Sequence, residues 1–389
     1  MFKGFYSSDT NVKLALTGLL LKGTVTNFFL VLSMKSAASA VFPIAILLFL
    51  IGFKDLFLKI GGFIVTSTLA MIAIWGLTIL FFPMNLTYIK EEWSQSFINC
   101  FPFMWLGYYF IKKGVYLDYF LPIARVKLII ALLVQVIILV NPSKDIWNND
   151  YMTAANEMLV GLIAVNYLYI RERKNLDLFL VVTGTLLMLT VGSRGGVMSI
   201  LFFWGCWWIM AKRNIMKNVV YIMLFGIFLL LSGPIMNTIF SMSKVFGYSS
   251  HIEDTIEGGG LFTDKARMSL FTFFIDKIKE SPFGYGVMGD RFLTDGFYFK
   301  PIYPHNLYIE ILTNFGFVTG GIISLILTFY LVKYLFGYEN KNYSMAILIL
   351  CSISFVHLMF SGSYWGNHMF YMLIGLMIGS RCLKTSPQP

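Results

Sequence analysis

Long apolar runs recur along this chain, and they limit what it can fold into. About twelve mostly apolar stretches lie near 14–33, 37–53, 61–82, 95–111, 122–140, 153–170, 178–192, 196–211, 218–234, 305–332, 344–361 and 366–381. A helix of roughly 20 such residues crosses the hydrocarbon core of a bilayer. In lipid every backbone amide must find its partner within the chain, which leaves only helices and closed barrels. Barrel strands alternate apolar and polar residues and would not give runs of this length. Hydrophobic residues make up 57% of the chain, charged residues 13%, and the mean hydropathy is +0.73. A soluble domain has roughly a quarter of its residues charged. The expectation is all-α: a polytopic membrane protein with about 12 transmembrane helices, forming a single transmembrane domain over 1–389.

Lysine and arginine collect on the cytoplasmic side of membrane proteins. Placing both termini inside puts Lys112-Lys113, Arg171-Glu172-Arg173-Lys174 and Lys212-Arg213 there, against Lys35, Lys90, Lys144 and Arg194 in the opposite short loops. One long polar loop, 235–303, then faces the cell exterior or periplasm. That loop carries seven Lys/Arg and eight Asp/Glu, so it is near neutral. The net charge of +10 is therefore mostly a topology signal, and nucleic acid is not an expected partner. Cys100, Cys206, Cys351 and Cys382 give neither a disulfide framework nor a zinc spacing. The N-terminal residues lack a cleavable signal pattern, so the first span is expected to insert directly.

The loop has structure of its own. Over Lys265 to Glu280, Phe271, Phe274, Ile275 and Ile278 recur at helical spacing. Asp276, Lys277, Lys279 and Glu280 fall opposite. The pattern predicts an amphipathic helix on the membrane surface or capping the bundle. Arg267 continues the apolar stripe, which would turn it toward the bundle; an arginine snorkelling from an interfacial helix fits as well. Pro282-Phe283-Gly284-Tyr285-Gly286 then breaks the helix in a turn.

His305 follows Pro304 where the loop enters the next apolar segment. Asn306, Glu310, Thr313 and Asn314 recur at i, i+4, i+7 and i+8, one polar stripe on a membrane helix. Polar groups are costly in lipid, so the stripe should face a protein interior or a wet cavity. A neutral imidazole there could take a proton from a sugar hydroxyl. An interfacial histidine that only caps or hydrogen-bonds fits the same pattern. Arg194 stands in Gly192-Ser193-Arg194-Gly195-Gly196, where Ser193 could cap the following helix. A helix N-terminus with an arginine makes a phosphate site; a tight turn with one interfacial arginine is the alternative. His357 and His368, with Trp365 between them, read as structural. Asn156 and Glu157 either line a cavity or join helices by hydrogen bonds. Lys22 inside the first span has no evident role.

No Asp-x-Asp occurs, so the diphosphate of a nucleotide sugar has no obvious metal site, and no Walker lysine motif points to ATP. Neither a metal nor a cofactor is expected.

Thr190-Val191-Gly192-Ser193-Arg194-Gly195-Gly196, then Arg267 with Ser281-Pro282-Phe283-Gly284-Tyr285-Gly286, then Pro304-His305-Asn306-Leu307-Tyr308-Ile309-Glu310 with Gly316 and Gly320 stand in this order. The set resembles the O-antigen polymerase and O-antigen ligase superfamily over roughly 177–336. The resemblance implies a metal-independent, inverting membrane glycosyltransferase of the bacterial inner membrane. Its donor would be a glycan on undecaprenyl pyrophosphate. Carried over by position, His305 becomes the general base, and Arg194 and Arg267 hold the donor pyrophosphate. Asn306, Glu310 and Asn314 would line the cavity. The leading expectation is a polymerase joining lipid-linked repeat units into O-antigen or capsular polysaccharide, with a chain-length regulator as a further partner. A ligase would use the same donor but transfer the glycan to lipid A–core. A lipid-linked oligosaccharide flippase is the reading from another class, although inverted repeats expected of many transporters are not visible.

Overall fold

The computed structural model describes residues 8–140, 151–190, 194–210, 265–296, 303–337, 341–360 and 362–383. The ninth expected span, 218–234, lies outside them. Among the described residues the chain is helical and has no strand. In order come α1 (Ser8–Val31), α2 (Lys35–Phe81), α3 (Leu86–Ser94), a π-helical turn into α4 (Phe101–Lys113), and α5 (Tyr116–Val140). They are followed by α6 (Tyr151–Glu172), α7 (Asn175–Thr190), α8 (Arg194–Met210), α9 (Lys265–Glu280) and the short α10 (Gly289–Thr294). Last come α11 (Leu307–Phe336), α12 (Lys341–Leu350) and α13 (His368–Leu383).

Among the described residues, four helices are long and apolar enough to cross a membrane: Asp9–Val31, Lys35–Phe81, Tyr116–Ile138 and Leu307–Phe336. Shorter apolar helices occur at Asn175–Met188, Gly195–Met210, Asn342–Leu358 and His368–Ser380. Their outer faces are greasy: Leu58 is 74% exposed, Leu80 72% and Leu325 73%. Exposed apolar stripes on this scale suit lipid, not water.

Two of the long helices are bent. At Ile60 the backbone of α2 leaves the helical region (φ −134°, ψ 22°). Trp105 shows how far the chain turns there. Its indole nitrogen donates to Ser67 (3.0 Å), while its ring lies 6.5 Å from Phe49. In a straight helix Phe49 and Ser67 would stand about 27 Å apart. The two halves of α2 are therefore separate runs folded back at Ile60, matching the expected segments 37–53 and 61–82. The connection between them is helical almost to its end.

The other bend corrects an expectation. A single span over 305–332 was expected, but α11 breaks at Gly316 (φ 78°, ψ 173°). The Tyr308 and Thr328 hydroxyls are 2.6 Å apart, where a straight helix would separate the residues by about 30 Å. Residues 307–315 thus fold back along 317–336 as a re-entrant half-helix. The cause is local: a left-handed φ is open to glycine without steric cost, and an apolar run containing glycine does not reveal in advance where it turns.

Contacts divide the chain into two compact units. The first comprises 1–19, 46–117 and 266–389. Its core is the α4–α13 pair. A Cβ on Gly107 would lie 2.4 Å from the Met372 carbonyl, and one on Gly375 only 1.9 Å from that of Met104. Small residues let two membrane helices meet backbone to backbone, where dispersion replaces the missing hydrophobic drive. The second unit comprises 20–45 and 118–265 and holds α6, α7, α8 and most of α5. Gly161 brings α6 against Leu128 of α5 in the same way.

Candidate functional site

The expected loop helix forms as α9 over Lys265–Glu280. Its buried face is set by Leu270, Phe274 and Ile278, whereas Ile275 is exposed. The apolar stripe is therefore rotated from the one read in the sequence, because only one of the two stripe edges meets the bundle. After α9 comes the turn at Pro282–Gly286. It interlocks with the break in α11. The Phe317 amide donates to the Pro282 carbonyl (2.8 Å), and the Tyr285 and Gly286 amides donate to the Thr313 and Asn314 carbonyls (2.9 Å each). Carbonyls and amides orphaned by the helix break thus find partners in the turn, as buried backbone groups must. A Cβ on Gly284 would meet the Gly316 nitrogen at 2.3 Å, so the crossing requires glycine on both strands of chain. Asn85 clamps the other side, donating to the Tyr285 and Val287 carbonyls (2.7 and 3.0 Å).

This clamp delivers α10, and α10 delivers Asp290 and Arg291 into the first unit. Both are buried, as are Glu310, Thr313 and Asn314 of the re-entrant half-helix. Arg291 donates to Asp290, to Glu310 (3.0 Å) and to Ser363 (2.9 Å). The Ser363 hydroxyl in turn donates a hydrogen bond to Glu310, and the Tyr364 amide donates to the same carboxylate (3.3 Å). With its amide oriented to satisfy its neighbours, Asn314 donates to Asp290 (3.1 Å) and the Gly286 carbonyl (3.1 Å). It then accepts from Tyr364 (3.0 Å) and Trp365 (3.2 Å). One guanidinium faces two carboxylates. Burial pushes the Asp290 carboxyl above its usual range against the pull of Arg291.

His305 stands beside this network. Its backbone is left-handed (φ 54°), as is that of Met288 (φ 59°); such geometry is uncommon outside glycine and collects at functional sites. The imidazole packs on Tyr303, ring centroids 4.5 Å apart. The Arg291 guanidinium lies 5.1 Å from the centre of the same Tyr303 ring. Asn306 caps the half-helix, accepting from the Tyr308 and Ile309 amides (3.1 and 3.2 Å). Pro304 therefore precedes the cap instead of lying in the first helical turn. The sequence stripe Asn306, Glu310, Thr313 and Asn314 does face the protein interior, but Glu310 and Asn314 are tied into side-chain bonds.

Arg267 falls in the first turn of α9 and Arg194 opens α8; their side chains, and residues 191–193 with the Ser193 cap, lie outside the described residues. Sequence reasoning missed Asp290, Arg291 and Ser363. They sit in irregular or very short segments that have no periodicity to betray a buried face. The only available signal was an Asp-Arg pair closely following a glycine turn. Other candidates resolve simply. Glu157 pairs with Lys127 in the second unit, Lys22 lies 5.4 Å from the Phe42 ring centre, and His368 packs on Phe103 (4.6 Å). Among the described residues no cluster of His, Cys, Asp or Glu could hold a metal ion.

Residues 178–324 match the family model described as O-antigen ligase. Over those residues the chain is similar to that family. The family segment contains the whole ensemble above apart from Asn85 and Ser363–Trp365, and includes Arg194, Arg267 and His305. No curated protein and no solved structure matches the chain.

Proposed function

We propose that this protein is a glycosyltransferase of the bacterial inner membrane that polymerises undecaprenyl-pyrophosphate-linked repeat units into O-antigen or capsular polysaccharide. In this reading about twelve spans keep both termini cytoplasmic and hold loop 235–303, with the reaction, outside. His305 takes the proton from the acceptor hydroxyl as that oxygen attacks the anomeric carbon. The bond to the pyrophosphate breaks with inversion, and Arg194 and Arg267 stabilise the departing charge. Fixed cationic donors aimed at developing negative charge are often the largest catalytic term. Lipid-linked glycan serves as donor and a second lipid-linked unit as acceptor.

The observation that carries this reading is the setting of His305. The imidazole is held at a left-handed backbone position, against Tyr303, beside a buried network with more carboxylate than guanidinium. A second reading, transfer of finished glycan to lipid A–core, is favoured by the description of the matching family model. Donor handling and base would be shared.

Reconstitution with lipid-linked repeat units, with and without lipid A–core, tests both. A ladder of products without core supports polymerase. Product only with core supports ligase. Translocated lipid with no new glycosidic bond contradicts the transferase reading altogether.

A further inference from the structure

The bend in α2 leaves a groove of about 740 Å³ in the first unit, away from the His305 ensemble. Its walls come from residues 57–66 and from α4, through Tyr108 and Lys112. Four observations give it a chemical character. At the bend the helix surface is bare, since Gly61 and Gly62 follow Ile60 and nothing lies within 4 Å of where a Gly62 Cβ would be. The floor is aromatic and flat: Phe63 stacks on Tyr108 with centroids 4.0 Å apart and planes 13° from parallel. The polar rim is cationic. Lys59 and Lys112 line the groove and no carboxylate does. Lys59 is held in place by Asp9 (3.0 Å) and the Tyr109 hydroxyl (3.1 Å), and the exposed Lys112 hangs 5.9 Å from the Tyr108 ring centre. The rest of the wall is greasy, with Phe57, Leu58 and Val65 all exposed.

A groove lined by Lys59 and Lys112 together with exposed apolar side chains fits an amphiphile with an anionic head. Lysines near a membrane surface attract anionic lipids, and a groove of several hundred Å³ is the size at which small-molecule sites are built. We propose that this groove seats an anionic phospholipid. Its phosphodiester would lie between Lys59 and Lys112, and one acyl chain would run along Leu58 and Val65. A free phosphate could use the lysines but would leave the apolar wall uncovered, so the occupant is a lipid. The site does not depend on the glycosyltransferase reading.

Native mass spectrometry of the purified full chain tests this with phosphatidylglycerol, phosphatidylcholine and inorganic phosphate as probes. Wild type should retain phosphatidylglycerol at least about tenfold more than phosphatidylcholine, and millimolar inorganic phosphate should not displace it. Lys112→Glu, a change at an exposed position that should leave the melting temperature unaltered, should abolish that preference. Lys112→Arg should keep it, and Lys90→Glu, at an exposed lysine outside the groove, should not change it. Equal retention of the two lipids would overturn the proposal. So would equal loss in Lys112→Glu and Lys90→Glu, which marks general charge attraction, and so would displacement by inorganic phosphate, which marks a simple anion site.

Discussion

Two buried charge clusters, one around Lys127 in the second unit and one around Arg291 in the first, balance their ionisable side chains differently. In the second unit Lys127 is 1% exposed. Its ammonium donates to the Leu20 carbonyl (2.9 Å), to Thr24 (2.9 Å) and to Glu157. An ammonium has three N–H groups and no acceptor, so three acceptors close its inventory. One cation meets one anion, and the surrounding backbone is helical. Around His305 the inventory stays unbalanced. One guanidinium serves two carboxylates, the helix carrying Glu310 is broken at Gly316, and the ensemble continues through the Tyr303 ring to an imidazole on a left-handed backbone. A buried charge is therefore not by itself a mark of function. The closed pair joins helices; the unbalanced set includes a left-handed backbone position and reaches the His305 ring through Tyr303.

Mutation can break this contrast. Arg291→Ala leaves two buried carboxylates without a cation, and removing one partner of a buried ion pair costs about 3–5 kcal/mol. Denaturation of the purified variant in detergent should show a loss of that size. A loss below about 1 kcal/mol would mean that the network is solvated and does not organise the site. At the small end stands the double replacement Lys127→Met with Glu157→Leu. Exchanging a whole buried pair for apolar groups of similar volume is often neutral or stabilising. Unfolding should shift by less than about 1 kcal/mol, with glycan synthesis retained. If synthesis failed in that folded variant, the pair would be functional and the contrast would dissolve.

How far the sequence reached depended on periodicity. Apolar runs of span length located most helices. The spacing of Phe274 and Ile278 located α9, although it placed Ile275 on the wrong side. The Gly-x-Gly turn and Gly316 were visible as residues, but not as two pieces of backbone locked through each other. That contact joins residues some thirty apart and leaves no periodic trace. Without it the re-entrant half-helix reads as the first turns of a long span. Glu310 was legible because it interrupts an apolar helix. Arg291 was not, since its burial is decided by Ser363 and Glu310 at the far ends of other segments. His305 stood out in the sequence between Pro304 and Asn306, and the structure gives Asn306 a capping role that its place in the polar stripe did not announce.

The most direct test is the rate of glycosidic bond formation by His305→Ala in proteoliposomes supplied with lipid-linked repeat units, with lipid A–core present in a parallel set. Losing a general base costs about 10²–10⁴-fold. The account predicts a loss of that order, with the melting temperature and the retention of the lipid-linked donor unchanged. A rate within a few-fold of wild type would contradict it.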